Sequence, residues 1–188
     1  MAENKYDHLF ISGVDPKIQA HRPYATIGFL DGKTFEGCNE YMVFWVGPKP
    51  YDAYGNKAWG LISHGPHEHK FPELFIHLGT DPDNPWDLGA EIEMCMGPEK
   101  EKHIVTRSTI ICLPANFPHG PWTIKKVTRP FLIVTVNQSQ THTEKARRDM
   151  VPKSEWRRNI FIDAGYEDHG IKPAFDWPED AGPRGEYM

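Results

Sequence analysis

The densest chemistry in the sequence lies in one stretch, His64-Gly-Pro-His67-Glu-His69-Lys-Phe-Pro-Glu73-Leu-Phe-Ile-His77-Leu-Gly79. Residues two apart in a strand share a face, so His67 and His69 project the same way. Glu73 has the same parity, beyond a bend that Pro72 suggests. Further along, Pro114-Ala-Asn-Phe-Pro118-His119 ends a strand-like run in a proline-bounded turn that can aim His119 back at the first group. Three imidazoles and one carboxylate suit a divalent transition metal. The dication outweighs the single carboxylate, so the site should be locally positive, with positions open for an anionic ligand.

Other residues invite weaker readings. His77 shares parity with Glu73 and could face a cavity as an acid/base group or support a ligand, and His64, beside the cluster, could do the same; the plainer reading of each is a packed or solvated histidine. His8, His21, His103, His142 and His169 are read as surface groups. Glu91 and Glu93 alternate with Ile92 and Met94, the pattern of a half-buried strand with a solvated acidic face. The run Asp81-Pro-Asp83-Asn84-Pro-Trp-Asp87 lacks the glycine and terminal glutamate of a calcium loop and reads as a turn. Phe44, Trp45, Trp59, Phe75, Phe117 and Trp122 are core or rim aromatics, and Trp122 is near enough to His119 to line a pocket mouth. Cys112 reads as a small buried filler.

These residues carry a family resemblance. His67-x-His69-x3-Glu73-x5-Gly79 resembles the first cupin motif, HxHx3-4Ex6G, and Pro114-x4-His119 is similar to the second, PxGxxHxxxN. Asn116 stands in the place of the second motif's glycine, and asparagine tolerates the left-handed turn conformation. Thr123 replaces the motif's asparagine, and Gly79 comes one residue early. The resemblance covers roughly residues 58–136. It implies an all-β fold, a single cupin-type antiparallel β-barrel (double-stranded β-helix) with N- and C-terminal extensions, often dimeric, and a metal in its mouth. His67, His69, Glu73 and His119 would be the ligands. Fe(II) or Mn(II) is the leading metal, with Zn or Ni as alternatives.

The elements that must position these residues are short. Strand-like runs at 25–30, 41–46, 58–62, 73–78, 90–96, 103–106, 109–113, 122–126 and 131–136 are separated by breakers such as Asp31-Gly32 and Gly97-Pro98. The 16 glycines and 17 prolines in 188 residues supply those turns. One short helix is expected over 143–150. Residues 1–57 read as a β-rich extension and 137–188 as a short helix followed by a Pro- and aromatic-rich tail. The part of that tail from 160 to 180 could lie over the barrel mouth as a lid, or strap a homodimer together.

Composition excludes several classes. A net charge of −5 argues against nucleic acid. The 10 Phe, 6 Trp and 7 Tyr are too many for a disordered chain. No apolar run reaches membrane-spanning length, and the N-terminus has no signal-like stretch. Three cysteines without CxxC spacing fit a reducing cytoplasm. The functional expectation is a metal-dependent enzyme acting on a small anionic or oxygen-rich molecule, with dioxygenase-type oxidation leading. The alternatives are a non-redox lyase, isomerase or decarboxylase, and a non-catalytic binding cupin.

Overall fold

A computed structural model describes residues 5–19, 22–51, 54, 55, 57–166, 175 and 176. The strands in chain order are β1 (Ala25–Leu30), β2 (Glu40–Val46), β3 (Ser63–His64), β4 (His67–Glu68) and β5 (Glu73–Gly79). Then follow β6 (Asp87–Met96), β7 (Glu101–Arg107), β8 (Thr109–Leu113), β9 (His119–Val127) and β10 (Phe131–Asn137). β11 (Lys145–Ala146), β12 (Asn159–Ile162) and β13 (Phe175–Asp176) are short. Among the described residues no helix is long and apolar enough to cross a membrane.

One sheet has the order β1-β2-β10-β5-β8, antiparallel throughout. The other is built on β9, which pairs with β6, β3 and β4; β7 lies outside β6. Strand alternation makes the core. In β2, Met42, Phe44 and Val46 are buried while Tyr41 and Trp45 are exposed, as expected for a strand with one buried face. They meet Phe131 and Ile133 of β10 and Leu88, Ile92, Met94 and Ile124 of the facing sheet in a single apolar cluster.

Several sequence expectations change. β1 and β2 are integral strands of the first sheet, and β12 pairs in parallel with β3, so chain on both sides of 58–136 builds the barrel. The run 58–62 is not a strand: Gly60 turns at φ +92° and pairing begins only at Ser63. The helix expected over 143–150 is replaced by β11 and one 3₁₀ turn at Arg148–Met150. The reason is tertiary: β11 pairs with β4, and Lys145 and Arg147 reach the Glu68 carboxylate at 3.3 and 2.9 Å. Cys112 is exposed and Cys95 is the buried cysteine, because β8 turns Leu113 inward and so its neighbour outward. His8 and His103 are exposed as expected; His21 and His169 lie outside the described residues. Of the tail, β12 and Tyr166 are buried against the barrel. Most of the segment considered as lid or strap lies outside the described residues.

Candidate metal centre

Each candidate ligand is delivered by a different local device. His67 sits in β4, opposite His119 at the start of β9. Glu73 opens β5, where it is flanked by Leu113 and Asn137. His69 follows β4, and its carbonyl accepts the Asn116 N–H at 2.7 Å. Asn116 adopts φ +58°, the left-handed conformation that this turn requires. Gly120, at φ +92°, could not carry a side chain, since a Cβ there would lie 2.9 Å from the Gly65 carbonyl. That close approach of β9 to the 65–66 turn brings His119 against His67.

The four donor atoms lie within 4.8 Å of one another, and all four residues are buried. The Nε2 atoms of His69 and His119 are 3.2 and 3.5 Å from Glu73 Oε2. Each imidazole is fixed from behind by a backbone carbonyl. His67 Nδ1 donates to Gly65 O at 2.8 Å, His119 Nδ1 to Phe117 O at 3.0 Å, and His69 Nδ1 to Thr143 O. With Nδ1 as the donor, Nε2 presents its lone pair. The Nε2 atoms of His69 and His119 are buried and make no hydrogen bond, a costly arrangement unless something binds there. The residues therefore fit a metal ion: three neutral imidazole nitrogens and a carboxylate converge on one point.

The electrostatics favour a neutral His67 and an ionised Glu73, while His69, against its burial, is drawn toward its charged form by Glu73. Burial, reinforced by the neighbouring His119, pushes the His67 pKa well below its ordinary value, toward the neutral form. Burial opposes the charge on Glu73, but His69 and His119 hold its carboxyl well below the usual range. Burial likewise opposes charge on His69, yet Glu73 outweighs it and raises the pKa.

Behind the cluster runs a polar chain that the sequence motifs did not mark. His64 Nε2 meets Glu144 Oε1 at 2.8 Å, and Glu144 Oε2 meets His142 Nε2 at 3.0 Å. His142 Nδ1 meets Glu40 Oε1 at 2.9 Å, and Asn137 Nδ2 donates to the same oxygen at 2.8 Å. Glu40 and Glu144 are each 2% exposed. Burial works against charging His142, but the flanking carboxylates hold its pKa well above the ordinary value. Burial also opposes the Glu144 charge, and His64, His67 and His142 overcome it. His142 is thus no surface group, and its ring lies 5.7 Å from that of His69. Two buried acidic side chains and one charged imidazole are thus added to the surroundings of the cluster.

His64 lines the cavity with the ligands, its ring 4.5 Å from that of His67. His77 does not line it. It is fully buried between Phe75, Trp122 and Phe131 and accepts the Trp122 Nε1–H at 3.2 Å. Burial lowers its pKa to about 4. His77 therefore braces Trp122, which does line the cavity. Glu91 is exposed and Glu93 faces Lys102 at 3.2 Å, the solvated face expected of β6. The cavity is small, about 50 Å³, room for about four water molecules.

No family model and no curated protein sequence matches the chain. Its structure is similar to an oxalate oxidase in complex with the substrate analogue glycolate, at 14% identity over 78% of this chain and 67% of that one, TM-score 0.47. A second oxalate oxidase, a recombinant protein with glycolate, matches at 13% over 74% and 64%, TM-score 0.46; the chain thus spans about two thirds of the oxalate oxidases' length. It is also similar to an uncharacterized conserved Klebsiella pneumoniae protein with a double-stranded β-helix domain, at 12% over 72% and 97%, TM-score 0.42. These likenesses are distant. By its own two sheets, antiparallel but for the β3–β12 pair, and by the place of its motif residues at the ends of β4, β5 and β9, the chain has the fold of a cupin-type double-stranded β-helix.

Proposed function

We propose that the protein is a metal-dependent enzyme acting on a small anionic or oxygen-rich organic molecule. His67, His69, Glu73 and His119 would hold the metal, with Fe(II) or Mn(II) leading and Zn or Ni as alternatives. The observation that carries this reading is the set of three imidazoles tied through Nδ1 to backbone carbonyls, with Nε2 atoms converging on Glu73. A bound divalent ion supplies Lewis acidity toward a substrate oxygen and, if redox-active, electrons for dioxygen chemistry. The chain supplies the rest. Tyr24, Phe44, Phe75 and Trp122 wall the cavity and limit water. Glu144 Oε1 and His64 Nε2 share a hydrogen bond on that wall and can hold or pass a proton beside the substrate.

Dioxygenase-type oxidation is the first chemistry to test. The Glu144–His64 pair specifically favours a second, non-redox proton-transfer reading, as in a lyase, isomerase or decarboxylase. Oxygen uptake and product formation, measured with a panel of small acids on iron- and manganese-loaded protein, separate the two. Stoichiometric oxygen consumption supports oxidation. Turnover under strict anaerobiosis, lowered about a hundredfold or more in Glu144→Gln, supports proton transfer. Tight ligand binding with no turnover in either atmosphere would contradict the enzyme reading.

A homodimer belongs to the same proposal. β7 pairs only with β6 among the described residues, and Ile104 at its centre is 55% exposed. Two β7 strands paired antiparallel about Ile104 would set Glu101 of each copy opposite Arg107 of the other. An apolar groove of about 420 Å³, lined in part by Met94, Met96, Ile104 and Ile111, adjoins this edge.

A further inference from the structure

Arg22 lines the same cavity as the candidate ligands, although it lies far from them in sequence and in no motif. A short clasp puts it there. Gln19 Nε2 donates to the carbonyls of Arg22 and Tyr24 at 3.3 and 3.0 Å, and Gln19 Oε1 accepts the Thr26 N–H. The chain is thereby folded over the barrel wall just before β1, with Arg22 and Tyr24 turned inward. The Arg22 guanidinium lies 5.6 Å from the centre of the Phe44 ring, and its Nη2 is 3.8 Å from Met42 Sδ. It also hydrogen-bonds the buried Tyr24 hydroxyl. Tyr24 in turn packs edge-on against Phe44 and Trp122, at 4.7 and 6.1 Å between ring centres.

We propose that Arg22 is the specificity-determining anchor for the carboxylate of a short carboxylic acid whose other end offers an oxygen donor to the His67–His69–Glu73–His119 cluster. This rests on the metal-site reading above and names its substrate class. Guanidinium is a permanent, weakly hydrated cation whose planar fork matches a carboxylate, and contact with Phe44 holds that plane in place. The other charged groups on the cavity wall are engaged elsewhere: Glu73 belongs to the metal-binding set, and Glu144, a carboxylate that repels an anion, is paired with His64 and the charged His142. A substrate carboxylate is therefore directed to Arg22, away from the Glu144–His64 pair. Phe44, Phe75, Trp122 and Ile133 supply an apolar wall for the body of the molecule. The enclosed part of the cavity, about 50 Å³, matches a short acid better than a sugar, a nucleotide or an extended aromatic acid. Inorganic phosphate is bulkier and more highly charged than a carboxylate, and it would meet the Glu144 repulsion more strongly.

The test is a binding measurement. Manganese-loaded wild type, Arg22→Gln and Arg22→Lys are titrated with pyruvate, with neutral pyruvamide and with inorganic phosphate, by calorimetry and by the tryptophan fluorescence that Trp122 contributes. Metal content and unfolding midpoint are recorded for each protein. Wild type is expected to bind pyruvate at least about tenfold tighter than pyruvamide, a difference of about 1.4 kcal/mol. Arg22→Gln should lose that preference with its metal retained, and Arg22→Lys should keep part of it. The proposal is overturned if Arg22→Gln discriminates as wild type does, or if wild type prefers phosphate to pyruvate. Should Arg22→Gln not fold, a preference in Arg22→Lys equal to that of wild type overturns it equally. Metal analysis separates the two readings: an Arg22-dependent preference in protein that takes up no metal sinks the metal site and upholds the anchor. Full metal loading without the preference does the reverse.

Discussion

Three histidines use one device: Nδ1 is given to a main-chain carbonyl, so the ring cannot rotate and Nε2 is left for a ligand. The same residue type does a different job at position 77, where burial keeps the ring neutral. Its pKa of about 4 in the folded chain lies below the ordinary 6.5. Between those values the unfolded chain binds the proton that the folded chain refuses. The His77 contribution to stability is therefore complete above pH 6.5 and declines as pH falls toward 4, by about 3 kcal/mol in total. Urea unfolding at pH 7 and pH 5 should show a smaller loss in His77→Gln, which keeps an acceptor for Trp122, than in wild type. An equal loss in both would mean that His77 titrates normally. His77 was legible as an inward-facing residue from its parity with Glu73. A packed ring was the plainer reading there, but its neighbours Phe75, Trp122 and Phe131 were not legible, because they meet it only in the folded barrel.

At the scale of elements, the ligand-bearing strands could be read from sequence because their signals are local: HxH spacing, a bend at Pro72 and a proline-bounded turn before His119. Asn116 takes the left-handed conformation expected of it and holds His69 through its own N–H. Gly120 has a stricter duty, since β9 passes the 65–66 turn at the distance of a missing side chain. Gly120→Ala should cost about 1–3 kcal/mol of stability through backbone strain and contact. It should also weaken metal binding by moving His119, which titration with a chelator can check; unchanged metal affinity would sever the link between this approach and the site. What sequence missed is non-local. Glu40, His142 and Glu144 come from β2 and from the chain around β11, and they meet only when β2 pairs with β10 and β11 docks on β4. The polar run 143–150 reads as helix in isolation because its partners, Glu68 and Asp163, are distant in sequence. Only the alternation His142-Thr-Glu144, which repeats the parity of the HxH motif, hinted at a shared face.

For the whole molecule, the sequence read the all-β class through its short apolar runs and frequent breakers, while it drew the barrel too tightly. β1 and β2 are two of the first sheet's five strands, and Arg22 enters the cavity from the chain before β1. β7, like β1 and β8, presents an edge that is unpaired among the described residues. Ile104→Glu, which leaves the core untouched, should turn a dimer into a monomer in sedimentation experiments without lowering the unfolding midpoint by more than about 0.5 kcal/mol equivalent. A monomeric wild type, or a dimer indifferent to this change, would remove β7 from the interface.

The proposed function depends on one claim, that His67, His69, Glu73 and His119 form a single metal-binding unit. Metal analysis of protein purified without oxygen, wild type beside His119→Ala, tests it most directly. The account predicts a tightly held divalent transition metal in the wild type and loss of most of it in the variant, with the fold retained. A wild type that carries and accepts no such metal, or a His119→Ala protein that keeps its full complement, would contradict it.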